Sequence, residues 1–254
     1  MRQLVFFSTL IVAVCSTQSV WAQHSDVEFG YDDTAAPTAI IIENDNVTSE
    51  GIQVFESGFE ELDPFNAGDF SADEPGFTTE AAEGLLFNEG DQIFINALDA
   101  SAHSIFGVGY VNFYNPNTGM LEAANRVSIV DNTAGTTDRI LDGTMASGDT
   151  LQFLGSVDSD GDLHDHVVFD LLDDDTAPAG AYGILVDIQA DFADADGTTD
   201  LVSDPVWFIF NHQLSEEDFE NLALPSFGLS AVPEPGSFAV LFAGAACLLT
   251  RRRR

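Results

Sequence analysis

Residues 182–190, with the sequence YGILVDIQA, form the longest of about ten apolar runs that recur along the chain. Each run is short and is bounded by Asp, Asn, Gly or Pro, a pattern typical of β-strands joined by turns. The other runs are Val27–Tyr31, Ala39–Ile42, Gly51–Phe55, Gln92–Leu98, Val108–Tyr114, Met120–Ala123, Arg126–Val130, Leu151–Leu154, His166–Leu172 and Val206–Phe210. Only Ser215–Leu222 favours a helix, because Ser215 can serve as its N-cap and acidic residues fill its first turn. The sequence therefore predicts an all-β fold, a sandwich or jelly roll of about ten short strands with one short C-terminal helix.

One long stretch of the chain shows neither the helical nor the strand periodicity of apolar residues. Residues 66–84, NAGDFSADEPGFTTEAAEG, are expected to form a long loop. No repeat is visible along the chain, and the composition does not change across this stretch. Residues 23–231 are therefore expected to form a single domain.

The charge of the chain excludes one class of partner. The 254 residues include 43 acidic and 7 basic residues, and five of the arginines are Arg2 and the C-terminal Arg251 to Arg254. Residues 23–231 then carry 42 acids (all but Glu234) and two arginines, a net charge of −40. Such a surface repels phosphate backbones, so nucleic-acid partners are excluded and anionic membranes are unfavourable. The domain can still build a core, since 45% of all residues are hydrophobic.

The N-terminus has the pattern of a secretory signal peptide over residues 1–22. Arg2 supplies the positive charge, Leu4–Val14 supply a short apolar segment, and Val20-Trp21-Ala22 supply a cleavage site before Gln23. A permanent membrane anchor is the alternative, but eleven residues span only about 16 Å as a helix. Export through the secretion machinery is therefore expected.

The C-terminus, residues 232–254, combines three features in order. The motif Pro233-Glu234-Pro235 is followed by the apolar run Phe238–Leu249 and then by the arginine tail. The apolar run is short for a permanent span, and a basic tail after it favours a cytoplasmic end. This segment resembles the PEP-CTERM sorting signal, which implies recognition by an exosortase and removal of the tail. A plain tail anchor is the alternative.

Removal of both termini would also remove both cysteines of the chain. Cys15 lies in the signal peptide and Cys247 in the sorting segment. The exported domain would then contain no disulfide, no thiolate nucleophile and no cysteine-ligated metal.

Two histidines in one strand-like run suggest a metal site. If residues 164–171 form a strand, its alternation places His164, His166 and Asp170 on one face. Two imidazoles on one face can converge on a single ion, and imidazole suits zinc, copper or nickel. A third ligand could be Asp170, or a distant His24 or His212. The alternative is a pair of exposed histidines with no ligand.

Two acidic loops suggest calcium instead. Asp158, Asp160 and Asp162 surround a glycine, and Asp194, Asp196 and Asp200 form a second loop of the same type; such oxygen-rich, glycine-containing loops are typical of calcium sites. Neither loop matches the twelve-residue EF-hand pattern. The alternative is that aspartates cluster here only because the chain is so acidic.

Short motifs also resemble a family of surface-anchored exported proteins that is linked with zinc-uptake regulation. The motifs are residues 23–27 (QHSDV), residues 162–169 (DLHDHVVF) and the turn at residues 179–184 (AGAYGI). Members of that family pair an N-terminal His-x-Asp motif with a His-x-His strand followed by an Ala/Pro-Gly-x-Tyr turn. The resemblance implies that His24, His164 and His166 are metal ligands.

Catalytic motifs do not occur in the chain. It has no Gly-x-Ser-x-Gly elbow, phosphate loop, dinucleotide fingerprint or His-Glu-x-x-His pair. We therefore expect a non-catalytic protein of the cell surface or extracellular matrix that binds a divalent, zinc-like metal through His164 and His166. The alternative is an adhesive domain that binds extracellular polysaccharide and uses calcium only structurally. Its candidate sugar-stacking platform is Tyr110, Phe113, Tyr114 and Trp207, although core or edge positions of paired strands are the preferred explanation of these aromatics.

Overall fold

The predicted all-β class is confirmed by the structure, a computed structural model with one short C-terminal helix. It describes residues 26–31, 39–42, 44, 46–61, 70–79, 87–124, 126–131, 139–141, 150–172, 176–192 and 200–229. The strands in these ranges are β1 (Val27–Tyr31), β2 (Ile40–Ile42), β3 (Gln53–Gly58), β4 (Glu60–Glu61), β5 (Phe70–Ala72), β6 (Phe77–Thr79), β7 (Gln92–Leu98), β8 (Val111–Asn115), β9 (Met120–Ala124), β10 (Val127–Asp131), β11 (Arg139–Leu141), β12 (Leu151–Ser156), β13 (Leu163–Asp165), β14 (Val167–Leu171), β15 (Gly180–Asp191), β16 (Leu201–Val202) and β17 (Val206–His212).

The largest sheet has eight strands and is built around β15. Its main path runs β12-β7-β15-β17-β3, while β8 and β16 also pair with β15, and β9 pairs with β8. Strand β17 pairs with β3 in parallel and with β15 in antiparallel register. Because β15 and β17 have neighbours along both edges, both strands lie in the interior of the sheet.

Both faces of this sheet are covered, and the alternation of side chains assigns residues to each face. In β17, Phe208 and Phe210 point into the main core, whereas Trp207 and Ile209 point into a second apolar cluster on the opposite face. Burial on both faces explains why β15 and β17 are continuous apolar runs rather than alternating ones.

Two smaller sheets complete the main core. A four-stranded sheet has the order β13-β6-β1-β2, and a five-stranded sheet has the order β11-β10-β14-β5-β4. Phe77 of the first and Phe169 of the second both pack edge-on against Phe208 of the large sheet, with ring centroids 5.7 and 5.8 Å apart. The three sheets therefore share one apolar core, in the layered manner of a β-sandwich.

The C-terminal helix covers the opposite face of the large sheet. It consists of α1 (Glu216–Asp218), a π-helical turn (Phe219–Ala223) and α2 (Leu224–Ser226). Ser215 is its N-cap, as predicted, since its hydroxyl accepts a hydrogen bond from the Asp218 N–H at 3.1 Å. After the helix, the ring of Phe227 lies over Gly183, where an added Cβ would come within 2.2 Å of it. The helix thus buries the second apolar cluster.

The expected long loop at residues 66–84 is wrong in part. It contains β5 and β6, each three residues long, which belong to different sheets. The sequence pattern hides these strands because both are short and depend on distant partners: β5 pairs with β14 as well as with β4, and β6 pairs with β1 and β13.

Within the described ranges, no helix combines the length and the apolar character that crossing a bilayer requires.

Candidate metal centre

Three side chains of metal-ligating type converge where strands β13, β6 and β1 of the four-stranded sheet meet at one end. Asp26 immediately precedes β1, His164 lies in the middle of β13, and His166 directly follows β13. One ligand atom from each residue lies within 4.8 Å of the other two. The two histidines of the predicted site are thus brought together, with a carboxylate from the beginning of the domain.

The predicted continuous strand over residues 164–171 is wrong, because the chain changes sheets at His166. β13 belongs to the four-stranded sheet and β14 to the five-stranded sheet. Asp165 marks the break, since its Oδ1 accepts the backbone N–H of His166 at 2.8 Å. Period-two alternation therefore does not extend from His166 to Asp170. Asp170 lies half-buried in β14, opposite Ser128 and Ser71, and is not part of the three-residue cluster.

Gly76 provides the space in which the cluster forms. Its carbonyl accepts the N–H of Val27 at 2.7 Å, which fixes the start of β1 beside it. A Cβ at this position would lie 2.5 Å from His166 Cε1 and 2.6 Å from Asp26 Oδ1. Contacts that short do not occur between non-bonded carbon and its neighbours, so His166 and Asp26 can approach only because residue 76 has no side chain.

The orientation of His166 is fixed by a backbone carbonyl. His166 Nδ1 lies 2.7 Å from the carbonyl oxygen of Asp73. A carbonyl oxygen only accepts, so Nδ1 donates, and in the neutral ring Nε2 presents its lone pair. Metal-binding histidines commonly donate their second ring nitrogen in this way.

The Nε2 atom of His164 lies between the other two ligand atoms. It is 3.2 Å from Nε2 of His166 and 3.2 Å from Oδ2 of Asp26. The side chain of His164 is 62% exposed and that of Asp26 is 30% exposed, so the cluster opens to solvent. It therefore lies at the surface and not in a deep cleft.

Further carboxylates lie around the cluster. Glu74 Oε2 accepts the N–H of Gly76 at 3.1 Å, and Asp165 is bonded to the backbone of His166. Negative side chains close to an exposed cluster raise the local concentration of cations. The surroundings therefore favour a positively charged ligand.

The first acidic loop is a tight turn. Asp158 Oδ1 accepts the N–H groups of Asp160 at 2.8 Å and Asp162 at 3.1 Å, and Gly161 has a φ of +89°. One oxygen of Asp158 thus stabilises the turn itself, as Asx turns do. In the part of the chain that the structure describes, this loop does not bring three such ligand atoms together.

The second acidic loop is described only at its end. Asp200 Oδ2 accepts the N–H of Phe192 at 2.8 Å. Asp194 and Asp196 lie outside the described residues, as do His24, the signal peptide, both cysteines and Pro233, Glu234 and Pro235. The predictions that concern these residues therefore stay predictions.

Two other histidines lie away from the cluster. His212, the last residue of β17, is fully buried, and its ring packs edge-on against Phe70 with centroids 4.8 Å apart. His103 is exposed at the end of the 3-10 turn Ala100–Ala102. His212 is therefore part of the core and not the distant third ligand that the sequence allowed.

The candidate sugar-stacking platform is not on the surface. Trp207 is 0% exposed, and Phe113 and Tyr114 are also buried. Tyr110 is half-buried and packs against the main core. The core interpretation of these aromatics is therefore correct.

The sequence analysis did not identify two residues of the cluster: Asp26, which is one of its three candidate ligands, and Gly76, which leaves the space for it. Asp26 was within reach of the sequence, since it is the acidic residue of the His-x-Asp motif at residues 24–26. Gly76 lies in the stretch expected to be a loop, and nothing in the sequence distinguishes it from the other glycines.

Comparison with known proteins matches only the C-terminal end of the chain. Residues 231–254 match the PEP-CTERM protein-sorting motif. No curated protein and no solved structure matches the chain. The motif identifies the chain as an exported protein that an exosortase recognises, that is anchored transiently at the membrane and that is sorted to the cell surface. The resemblance of the exported domain to zinc-linked His-x-His proteins gains no support from these comparisons.

Proposed function

We propose that the exported domain binds one divalent transition-metal ion, of which zinc is the best candidate, through Asp26, His164 and His166. In this proposal the domain acts at the cell surface as a non-catalytic metal-binding protein. The observation that carries the proposal is the convergence of three ligand atoms from two distant parts of the chain.

The spacing of the ligand atoms supports a tetrahedral ion. With zinc–ligand bonds of 2.0–2.1 Å, two ligands at tetrahedral corners lie about 3.3 Å apart. The two distances from His164 Nε2, to His166 Nε2 and to Asp26 Oδ2, are both 3.2 Å. Two of the three distances between ligand atoms therefore already match a tetrahedral ion, and the third lies within 4.8 Å. Without metal, the same distances suit N–H···N and N–H···O hydrogen bonds.

The ligand set and its support suit zinc among the divalent ions. Two imidazoles and one carboxylate are ligands of zinc, copper and nickel, whereas calcium and magnesium prefer oxygen alone. The Asp73 carbonyl holds His166 with Nε2 towards the cluster. A hydrogen bond that orients a ligating histidine in this way commonly raises metal affinity by roughly 10- to 100-fold.

The exposure of the site supports a binding role over a catalytic one. The His164 side chain is mostly exposed, so water reaches any group bound there. Substrate sites are commonly clefts that bury most of a small ligand, whereas this cluster lies open at the surface. The proposed role is therefore to hold metal at the cell surface.

The alternative of a carbohydrate-binding domain has no structural observation in its favour. Its candidate residue Trp207 is enclosed between the large sheet and the C-terminal helix, against Phe227. We therefore do not propose it.

Isothermal titration and elemental analysis of the chelator-stripped chain, purified in detergent, test the proposal. We expect one zinc per chain, bound at micromolar concentration or tighter (about −8 kcal/mol). The variants Asp26→Asn and His164→Ala should weaken binding strongly, because each removes one of three ligands.

Matched variants separate the cluster from the general acidity of the chain. His103→Ala removes an exposed histidine, and Asp160→Asn removes an exposed acid, neither from the cluster. Both should bind zinc as the unmodified chain does. His24→Ala tests the predicted additional ligand. Zinc binding that is equal in His164→Ala and His103→Ala would refute the proposal.

A further inference from the structure

The chain leaves the domain towards its sorting segment at a fixed point. Leu229 forms a β-bridge with Thr48, and the N–H of Ser49 donates to the carbonyl of Gly228 at 2.9 Å. Gly228 has a φ of +93°, which turns the chain after the helix. Residue 229 is therefore held against the segment that leads into β3.

A rigid loop lies beside this exit. The ring of Phe106 packs on Gly228, where an added Cβ would come within 2.5 Å of Phe106 Cε2. The carboxylate of Glu50 holds the loop by accepting the Ser104 hydroxyl at 2.6 Å and the Ile105 N–H at 3.0 Å. These contacts link the loop, the exit and the residues before β3 into one corner.

Three apolar side chains of this corner point into solvent. Ile105 is 81% exposed, Val47 is 47% exposed and Val108 is 41% exposed. We refer to these three residues as the exit corner. Ile105 is the most exposed large apolar side chain in the described part of the chain, and Glu50 holds its backbone in place.

Sheet register places the exit corner on the side of the large sheet from which both β3 and β8 begin. β3 begins at Gln53 opposite Val206, and β8 begins at Val111 opposite Ile184, so the segments before both strands lie at the same end. Met120, the first residue of β9, pairs with Asn115 at the other end of β8, about 13 Å away along the strand.

We propose that the exit corner rests on the surface of the lipid bilayer while the chain is anchored by its sorting segment. Eight residues, 230–237, separate Leu229 from the apolar run Phe238–Leu249. Eight residues reach at most about 29 Å, so the end of the domain that carries the exit must stay near the membrane. Transient anchoring follows from the sorting motif and does not depend on the metal proposal.

The contact depends on the tether. Three side chains bury too little area to hold a free domain on a membrane, but a tether of only eight residues keeps the effective concentration of the surface in the millimolar range. The strongly negative surface of the domain, which includes the exposed Glu216 and Glu217 of the helix, repels anionic lipid. We therefore expect the contact with zwitterionic lipid, and only before the sorting segment is removed.

Site-directed fluorescence on the full chain tests the proposal. In a background with Cys15→Ser and Cys247→Ser, a single Ile105→Cys carries an environment-sensitive fluorophore, and Met120→Cys is the matched control, since Met120 is 65% exposed at the opposite end. Both chains are reconstituted into phosphatidylcholine vesicles that contain a lipid with a quencher near its headgroup. We expect severalfold stronger quenching at position 105 than at position 120, and loss of the difference after proteolytic release of the domain.

Three results would overturn the proposal. Equal quenching at both positions would show that the exit corner does not face the lipid. Protection of position 105 only when exosortase is added would assign the corner to that enzyme. A fluorescence change at position 105 that depends on protein concentration without lipid would assign it to a second copy of the chain.

Discussion

A methyl group at residue 76 should weaken the metal site without replacing any of its ligands. In Gly76→Ala the new Cβ would lie 2.5 Å from His166 Cε1 and 2.8 Å from His166 Nε2. An ordinary contact needs about 3.5 Å, so the ring must retreat by roughly 1 Å. Metal–ligand distances tolerate only about 0.2 Å, and His166 is also held by the Asp73 carbonyl. We expect about a 100-fold loss of zinc affinity, the upper range for residues that support metal ligands.

Gly58→Ala is the matched control for this change. A Cβ at Gly58 would meet only the Asn211 carbonyl, at 3.7 Å, which is an ordinary contact. Calorimetric zinc titration of both variants is the assay, with far-ultraviolet circular dichroism of the metal-free proteins to confirm that both retain the fold. A folded Gly76→Ala protein that binds zinc as tightly as Gly58→Ala would refute the assignment of Gly76 as the space-giving residue.

Three further changes test the large sheet and the C-terminal helix that covers it. Burial, reinforced by the charges of Glu220 and Glu216, raises the pKa of Glu56 to about 7 from its ordinary 4.5, so its contribution to stability is lost as pH rises from about 4.5 through 7. Glu56→Gln should therefore raise the free energy of unfolding by roughly 2 kcal/mol at pH 8 and by little at pH 4. Urea titrations at both pH values measure this difference. An equal effect at both pH values would contradict the raised pKa of Glu56. Ser215→Ala removes the helix N-cap and should cost about 1 kcal/mol in the same assay, whereas no loss would mean that the cap is dispensable. Trp207→Ala empties a fully buried site and should cost about 3–5 kcal/mol, and a smaller loss would indicate that the side chain is less enclosed than described.

The main strands could be predicted because each contains an apolar run that is long enough to recognise in the sequence. β1 and β7 have the predicted bounds, and β15 extends the predicted run by two residues before it and one after it. Buried strands with neighbours on both edges require such runs whatever the surrounding residues are. By contrast, β6 and β13 have three residues each, and both acquire their structure from partners that are distant in sequence.

The site could be predicted only where its ligands are neighbours in sequence. His164 and His166 are two residues apart, and their pairing follows from local spacing alone. Their closeness to Asp26 depends on β6, which lies between β1 and β13 and places Gly76 under the cluster. The error over Asp170 has the same origin, because local alternation cannot show that the chain changes sheets at His166.

The central claim is that His164, His166 and Asp26 bind one zinc ion together, and X-ray absorption spectroscopy of the zinc-loaded chain tests it most directly. The account predicts a first shell of nitrogen and oxygen at about 2.0–2.1 Å with the outer-shell scattering of two imidazoles. In His164→Ala the imidazole contribution should fall to one or the metal should be lost. A spectrum with oxygen ligands only, unchanged in His164→Ala, would show that the acidic surface binds the metal and would contradict the account.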